Sequence, residues 1–205
     1  MREKQLEIPQ NMWFNIGMGK EYVIQKHITG ADIKRLRKLL KMTQKEFAAF
    51  TGSAVRTVEN WESKGDKITG PVVTLAEILL RKPELAQKLE LPANDFKLRL
   101  WYMYENIVCT VIDVDETSRR VRALNYVDNP MYRAFGVNTE PDYGDYEEFL
   151  ESRCFPRDRD KLKLELKRLD IPFYDPVMII EKTQGRMAED DFWIRIERQG
   201  NDRTL

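Results

Sequence analysis

Apolar residues recur along this chain with two different periods. After Ala31, Ile33, Leu36, Leu39 and Leu40 fall at i, i+3, i+6 and i+7, the stripe of an amphipathic helix. The stretch TQKEFAAFTGSAVRTVENWE, residues 43–62, then predicts two short helices joined by a tight turn. Thr43 and Glu46 have the spacing of a capping box, which starts the first of them. Gly52 supplies a backbone able to take positive φ, and Ser53 is placed to cap the second helix, which carries Val58 and Trp61 on one face. Gly65 and Gly70 punctuate the next loop. Pro71 opens a further helix with Val72, Leu75, Ile78 and Leu79 inward. A last short helix runs from Pro83 to Leu89, and Leu91-Pro92-Ala93-Asn94 closes the segment.

Beyond Phe96 the period shortens to two. Residues 98–104 and 107–112 are β-rich, 113–118 read as a turn, and 119–126 alternate as a third strand. Helices follow at 142–151, 158–169 and 175–183, the first opened by Asp142, the second with Leu162, Leu166 and Leu169 inward, the third started by Asp175-Pro176. Residues 192–197 return as a strand. The expected fold is two-domain: an all-α domain at 30–92, then an α+β domain at 96–200 with antiparallel strands, helices and a closing strand. Residues 1–29 are expected to form an arm or short hairpin. There Met12-Trp13-Phe14 and Tyr22-Val23-Ile24 flank Gly17 and Gly19, and Trp13 and Phe14 are expected to pack on the following domain.

The capping box, the small Ala48, the turn glycine and the Trp61-Glu62 ending coincide at helix-turn-helix spacing. The segment from about residue 31 to 91 resembles the XRE-type, phage-repressor-like DNA-binding domains. That resemblance implies that the second helix of the motif enters the major groove of double-stranded DNA. Gln44 would then bond a phosphate, and Ser53, Ala54, Val55, Arg56, Thr57 and Asn60 would form the DNA-facing set. Arg56 suits guanine O6 and N7, Asn60 suits adenine, and Ala54 or Val55 suits a thymine methyl. Arg37 and Glu62 fall where such domains hold a structural ion pair, and Trp61 belongs to the core. One domain covers half an operator, so a homodimer on a near-palindrome is expected, held by either the N-terminal arm or the second domain.

Charge agrees with that division of labour. The 205-residue chain is neutral overall, but residues 1–70 carry thirteen Lys and Arg against eight Asp and Glu, about +5, leaving about −5 for the rest. A basic front suits phosphate; an acidic back does not. No apolar run approaches the length of a membrane span, and MREKQLEIPQ lacks the apolar core of a secretory leader, so a cytoplasmic protein is expected. With only Cys109, Cys154 and His27, neither a metal site nor a disulfide framework is expected; Cys154 reads as buried, and His27 as structural or solvent-facing. The acidic clusters DETS, EPDYGDYEE and AEDD come without a histidine, a nucleophile elbow or a phosphate loop in the second domain. No enzyme activity and no cofactor are therefore expected. Asp113 and Asp115 read as a hairpin turn, and Glu189-Asp190-Asp191 as a loop before a strand.

Two further resemblances bear on the second domain. SRCFPRDRDKLKLELKRLDI and RMAEDDFWIRIE resemble a segment near the start of HipA-like toxin kinases, which implies a regulatory or toxin-linked binding module without the kinase motifs. The run of Glu140 to Glu148 interleaves carboxylates with tyrosines. This layout is similar to mobile-element inhibitors, including some anti-CRISPR proteins, that join an acidic DNA-mimicking module to a helix-turn-helix. The expected functions are thus an autorepressor, antitoxin-like or mobile-element regulator with a C-terminal protein-interaction domain, or an inhibitor that blocks a nucleic-acid enzyme and represses its own promoter.

Overall fold

The computed structural model describes residues 22–199; the expectations for Met12-Trp13-Phe14, Gly17 and Gly19 lie outside them. The chain divides into two compact units, the first ending at Glu90 and the second beginning at Leu91. Each has its own hydrophobic core.

The first unit is helical: α1 (Gly30–Leu39), α2 (Gln44–Phe50), α3 (Val55–Lys64), α4 (Pro71–Arg81) and α5 (Glu84–Lys88). Thr29 opens α1 through a capping box with Asp32, one residue earlier than the apolar stripe suggests. The Asp32 carboxylate accepts from the Thr29 amide at 2.9 Å. Gly30 is required by what lies against it. A Cβ there would fall 1.9 Å from the Trp61 carbonyl oxygen, so only glycine lets α1 approach the end of α3 this closely. Ile33, Leu36, Phe47, Ala48, Val58, Val73, Ala76 and Leu79 form the core, and Ile28 pairs with Ile68 in an isolated bridge beside it.

Two expected core residues are exposed: Leu39 is 49% accessible and Ile78 45%. At ~100° per residue, Ile33, Leu36, Arg37 and Leu40 share one side of α1, and Leu39 turns away from it. On α4 the buried row is Val73, Ala76 and Leu79, with Val72 and Leu75 only packed against its edge.

The second unit is built on a four-stranded sheet, β1 (Leu98–Tyr104), β2 (Ile107–Asp115), β3 (Arg120–Asn125) and β4 (Phe192–Arg198). The order is β3-β2-β1-β4 and every pairing is antiparallel. Between β3 and β4 run α6 (Tyr143–Ser152), α7 (Leu162–Arg168) and α8 (Pro176–Thr183). Leu98, Leu100 and Tyr102 of β1, Ile112 and Val114 of β2 and Ile194 of β4 form one core with Tyr146, Phe149 and Leu150 of α6 and Ile179 and Ile180 of α8. Burying one face of a sheet under helices is what an α+β module requires.

Two sequence expectations shift here. β2 continues to Asp115, so Asp113 is a strand residue, not part of the turn. It is fully buried and sits opposite Arg99 of β1 and Arg122 of β3. Arg99 donates to it at 2.6 and 3.0 Å and Arg122 at 3.1 Å through Nε. A buried carboxylate is stable only when paired in this way. Finally, α7 begins at Leu162, not near Asp158, because Lys161 before it takes the left-handed conformation, φ 64°. Leu166 is buried, with Leu162 and Leu169 packed beside it.

Candidate nucleic-acid interface

The motif of α2, its turn and α3 is set residue by residue. The Thr43 hydroxyl accepts from the Glu46 amide at 3.2 Å, and the Glu46 carboxylate accepts from the Thr43 amide at 2.7 Å. This fixes Gln44 as the first residue of α2. Gly52 then adopts φ +64°, a region costly to residues bearing a Cβ, and the chain reverses. Ser53 does not cap α3. Its amide is used to close α2, donating to the Ala48 carbonyl at 2.8 Å, and Ala54 occupies the cap position without a side-chain bond. The first turn of α3 is consequently uncapped by any side chain, with Ala54, Val55 and Arg56 exposed around it. Gly65, at φ +64°, ends the helix.

Along α3 the two sides differ sharply. Val58 is fully buried and Trp61 packs against the core. Helical geometry puts Arg56, Glu59 and Asn60 on the opposite side. Arg56 and Glu59 are exposed, while Thr57 and Asn60 are half-buried. Six of the seven expected residues, Ser53, Ala54, Val55, Arg56, Thr57 and Asn60, thus share the turn and the start and outer side of α3. Glu59 lies among them and was passed over by sequence reasoning, although its place opposite Val58 and Trp61 follows from the period alone.

Gln44 stands apart from this group. It is half-buried, and its Nε2 donates to Glu62 Oε2 at 3.1 Å. Glu62 also accepts two bonds from Arg37, from Nε at 2.7 Å and from Nη2 at 2.9 Å, and Arg37 Nη1 donates to the Met42 carbonyl at 3.0 Å. The Arg37 hydrogen bond holds the Glu62 carboxyl below its ordinary value, and the Gln44 bond adds to this; Glu62 in turn raises Arg37. One carboxylate therefore ties α1, α2 and α3 together. A second amide hydrogen on Gln44 Nε2 remains to donate elsewhere.

Residues 33–89 match the family model described as helix-turn-helix. The first unit accordingly carries a DNA-binding helix-turn-helix of the XRE type. No curated protein matches the chain.

Acidic clusters of the second unit are largely occupied with local structure. Asp142 and Asp145 form the capping box of α6, Asp115 accepts from the Thr117 amide, and Asp190 holds Arg153 at 2.7 and 2.9 Å. Cys109 and Cys154 are both free and buried, and burial pushes the Cys154 thiol up to about 12. Among the described residues no group of three or more His, Cys, Asp or Glu could hold a metal ion. Nor is any helix there long and apolar enough to cross a membrane.

Proposed function

We propose that the chain is a sequence-specific transcriptional regulator that represses its own promoter, as antitoxin-like and mobile-element regulators do. The observation that carries this reading is the surface of α3. Its start is uncapped and surrounded by small or basic side chains, a setting that favours a phosphate. Arg56 donates to guanine, Asn60 pairs with adenine, Thr57 bonds either a base or a phosphate, and Ala54 or Val55 contacts a thymine methyl. Ser53 and Gln44 contact the backbone, Gln44 through the amide hydrogen that Glu62 leaves over. Glu59 accepts from a cytosine amine.

A homodimer on a near-palindromic operator follows from the half-site such a domain covers. Footprinting the full-length protein on its own upstream DNA, beside a chain truncated after Pro92, tests both points. A salt-sensitive, two-fold footprint that weakens on truncation supports a dimer held through the second unit. Absence of any footprint overturns the autorepressor reading.

The alternative, an inhibitor whose acidic run mimics DNA, rests on the exposed Glu140, Glu147 and Glu148. It is the weaker reading, because Asp142 and Asp145 are bonded to each other's backbone amides and Arg119 reaches Glu147 at 3.3 Å. Those carboxylates are poor stand-ins for free phosphates.

A further inference from the structure

The sheet of the second unit ends differently at its two edges. In an antiparallel ladder, alternate residues of an edge strand turn both backbone groups away from the neighbouring strand. On β4 the first of these residues are engaged. The Phe192 amide donates to Asp190 Oδ1 at 3.0 Å, and its carbonyl accepts from Arg153 Nη2 at 3.0 Å. The Ile194 amide donates to the Gln184 carbonyl at 2.7 Å. On β3 the Tyr126 amide donates to the Cys109 carbonyl at 2.9 Å, which makes Leu124, Arg122 and Arg120 the residues bonded to β2. Val121, Ala123 and Asn125 therefore turn N–H and C=O outward, and among the described residues these groups have no hydrogen-bond partner.

Unpaired strand groups need water or another strand, and natural edges are commonly protected by a proline, a bulge or free charges. β3, RVRALN, has no proline and pairs with β2 without a register shift. Its charges are drawn inward: Arg122 bonds Asp113, and the Arg122 and Arg120 guanidiniums lie over the Phe96 ring at 4.9 and 5.3 Å.

A second copy of the strand fits this edge in one register. With a two-fold axis at Ala123, that residue pairs with its own copy and Val121 pairs with Asn125, so every outward group is bonded. Ala123 has the smallest side chain of the strand, which leaves the axis open. An axis at Arg122 would set two guanidiniums opposite each other, which is destabilising. It would also face Asn125 with Arg119, which takes φ 51° outside the strand. An axis at Leu124 would face Val121 with Val127, whose carbonyl is held by Arg133 Nε at 3.0 Å. Charge favours the Ala123 register. Arg119 and Arg120 lead into β3, and the exposed Asp128, which forms no ion pair among the described residues, follows it. Two antiparallel copies bring the basic start of one beside the acidic end of the other. Arg120 then faces Tyr126 of the second copy, and Asp128 lies one diagonal step beyond, within reach of a long side chain.

We propose that β3 is the dimer interface of the second unit, docking the β3 of a second copy across a two-fold axis at Ala123 to make one continuous sheet. The inference rests on the homodimer reading above and supplies its surface and register.

Sedimentation of the full-length protein tests the dimer, and variants of the same chain test the surface. Ala123→Cys places two thiols on Cα atoms about 5.5 Å apart, within disulfide range. The native Cys109 and Cys154 are buried and do not compete. Mild oxidation should turn most of this variant into a covalent dimer. Arg120→Cys, with its two Cα atoms roughly 20 Å apart, should not crosslink. Ala123→Pro removes only an outward N–H, a change that edge strands tolerate. It should raise the dimer dissociation constant roughly tenfold or more with unchanged far-UV circular dichroism, because each copy loses one bond. A dimer that survives Ala123→Pro, and whose Ala123→Cys form does not crosslink, overturns the β3 interface and leaves the homodimer reading standing. Equal crosslinking from Arg120→Cys overturns the register. A full-length chain that stays monomeric both free and on its upstream DNA overturns the homodimer reading and this interface together.

Discussion

Glu62 shows how much one side chain can determine. It is 7% exposed and receives Arg37 from α1 and Gln44 from α2, so it sets how three helices meet. Arg37→Met would leave that carboxylate short of its main partner, and breaking such a pair costs about 3 kcal/mol. Urea unfolding would measure it. The pH dependence follows in sign. Glu62 has a folded-state value below its ordinary 4.5, so its contribution is complete above that pH and is lost as pH falls through the lower, folded value. Stability measured from pH 6 down to pH 2 should therefore fall less steeply for Glu62→Gln than for the parent. Asp113 makes the companion case. Asp113→Asn strands the buried Arg99, and a loss of about 3–5 kcal/mol is expected in the second unit. Arg122→Ala should cost less, because Arg99 still neutralises the carboxylate. The Arg37–Glu62 pair was legible through resemblance, whereas the Asp113 cluster was not. An Asp two residues before Asp115, which is itself followed by Glu-Thr-Ser, reads locally as a turn. Only the cross-strand register, which no local pattern encodes, brings Arg99 and Arg122 to it.

At the scale of elements, existence was easier to read than phase. Capping boxes, turn glycines and first-turn prolines fix where α2, α4, α6 and α8 begin, because each is a short-range bond or a single backbone angle. Which side of a helix faces inward depends on neighbours that lie far away in sequence. Leu39 and Ile78 are apolar and correctly spaced, but the helices that pack on α1 and α4 contact other rows. Ser53 misled for a related reason: its amide was needed to close α2, which moved the cap of α3 to Ala54. Gly30 is the strongest example. Helix propensity alone favours alanine there by up to about 1 kcal/mol. Against the Trp61 carbonyl the added methyl has no room, so Gly30→Ala should lower stability by about 2 kcal/mol through overpacking. A lowered thermal midpoint would confirm the close approach; a raised one would show that α1 can retreat without cost.

Across the whole molecule, the change of period between α5 and β1 is what made a two-part layout readable. Charge divides along the same direction, with a basic excess before residue 70 and an acidic excess after it. For a DNA-binding protein the two parts then act in opposite senses. The acidic part repels phosphate over a range set by salt, about 10 Å at 0.1 M and about 30 Å at 0.01 M. If it also holds the dimer together, its removal has two separable effects. On random DNA at low salt, the chain truncated after Pro92 should bind as tightly as the full-length protein or more tightly, because a repulsion has gone. On the operator near physiological salt it should bind more weakly, because two half-sites are no longer engaged together. Arg56→Ala in the full-length chain behaves otherwise: a loss of about 1–3 kcal/mol on the operator, with relaxed preference at one base position and little change on random DNA. Titrating both chains against both DNAs at two salt concentrations distinguishes these cases. A truncated chain that loses affinity equally for operator and random DNA would mean that the second unit contributes contacts of its own, and the division of labour read from the charge pattern would fail.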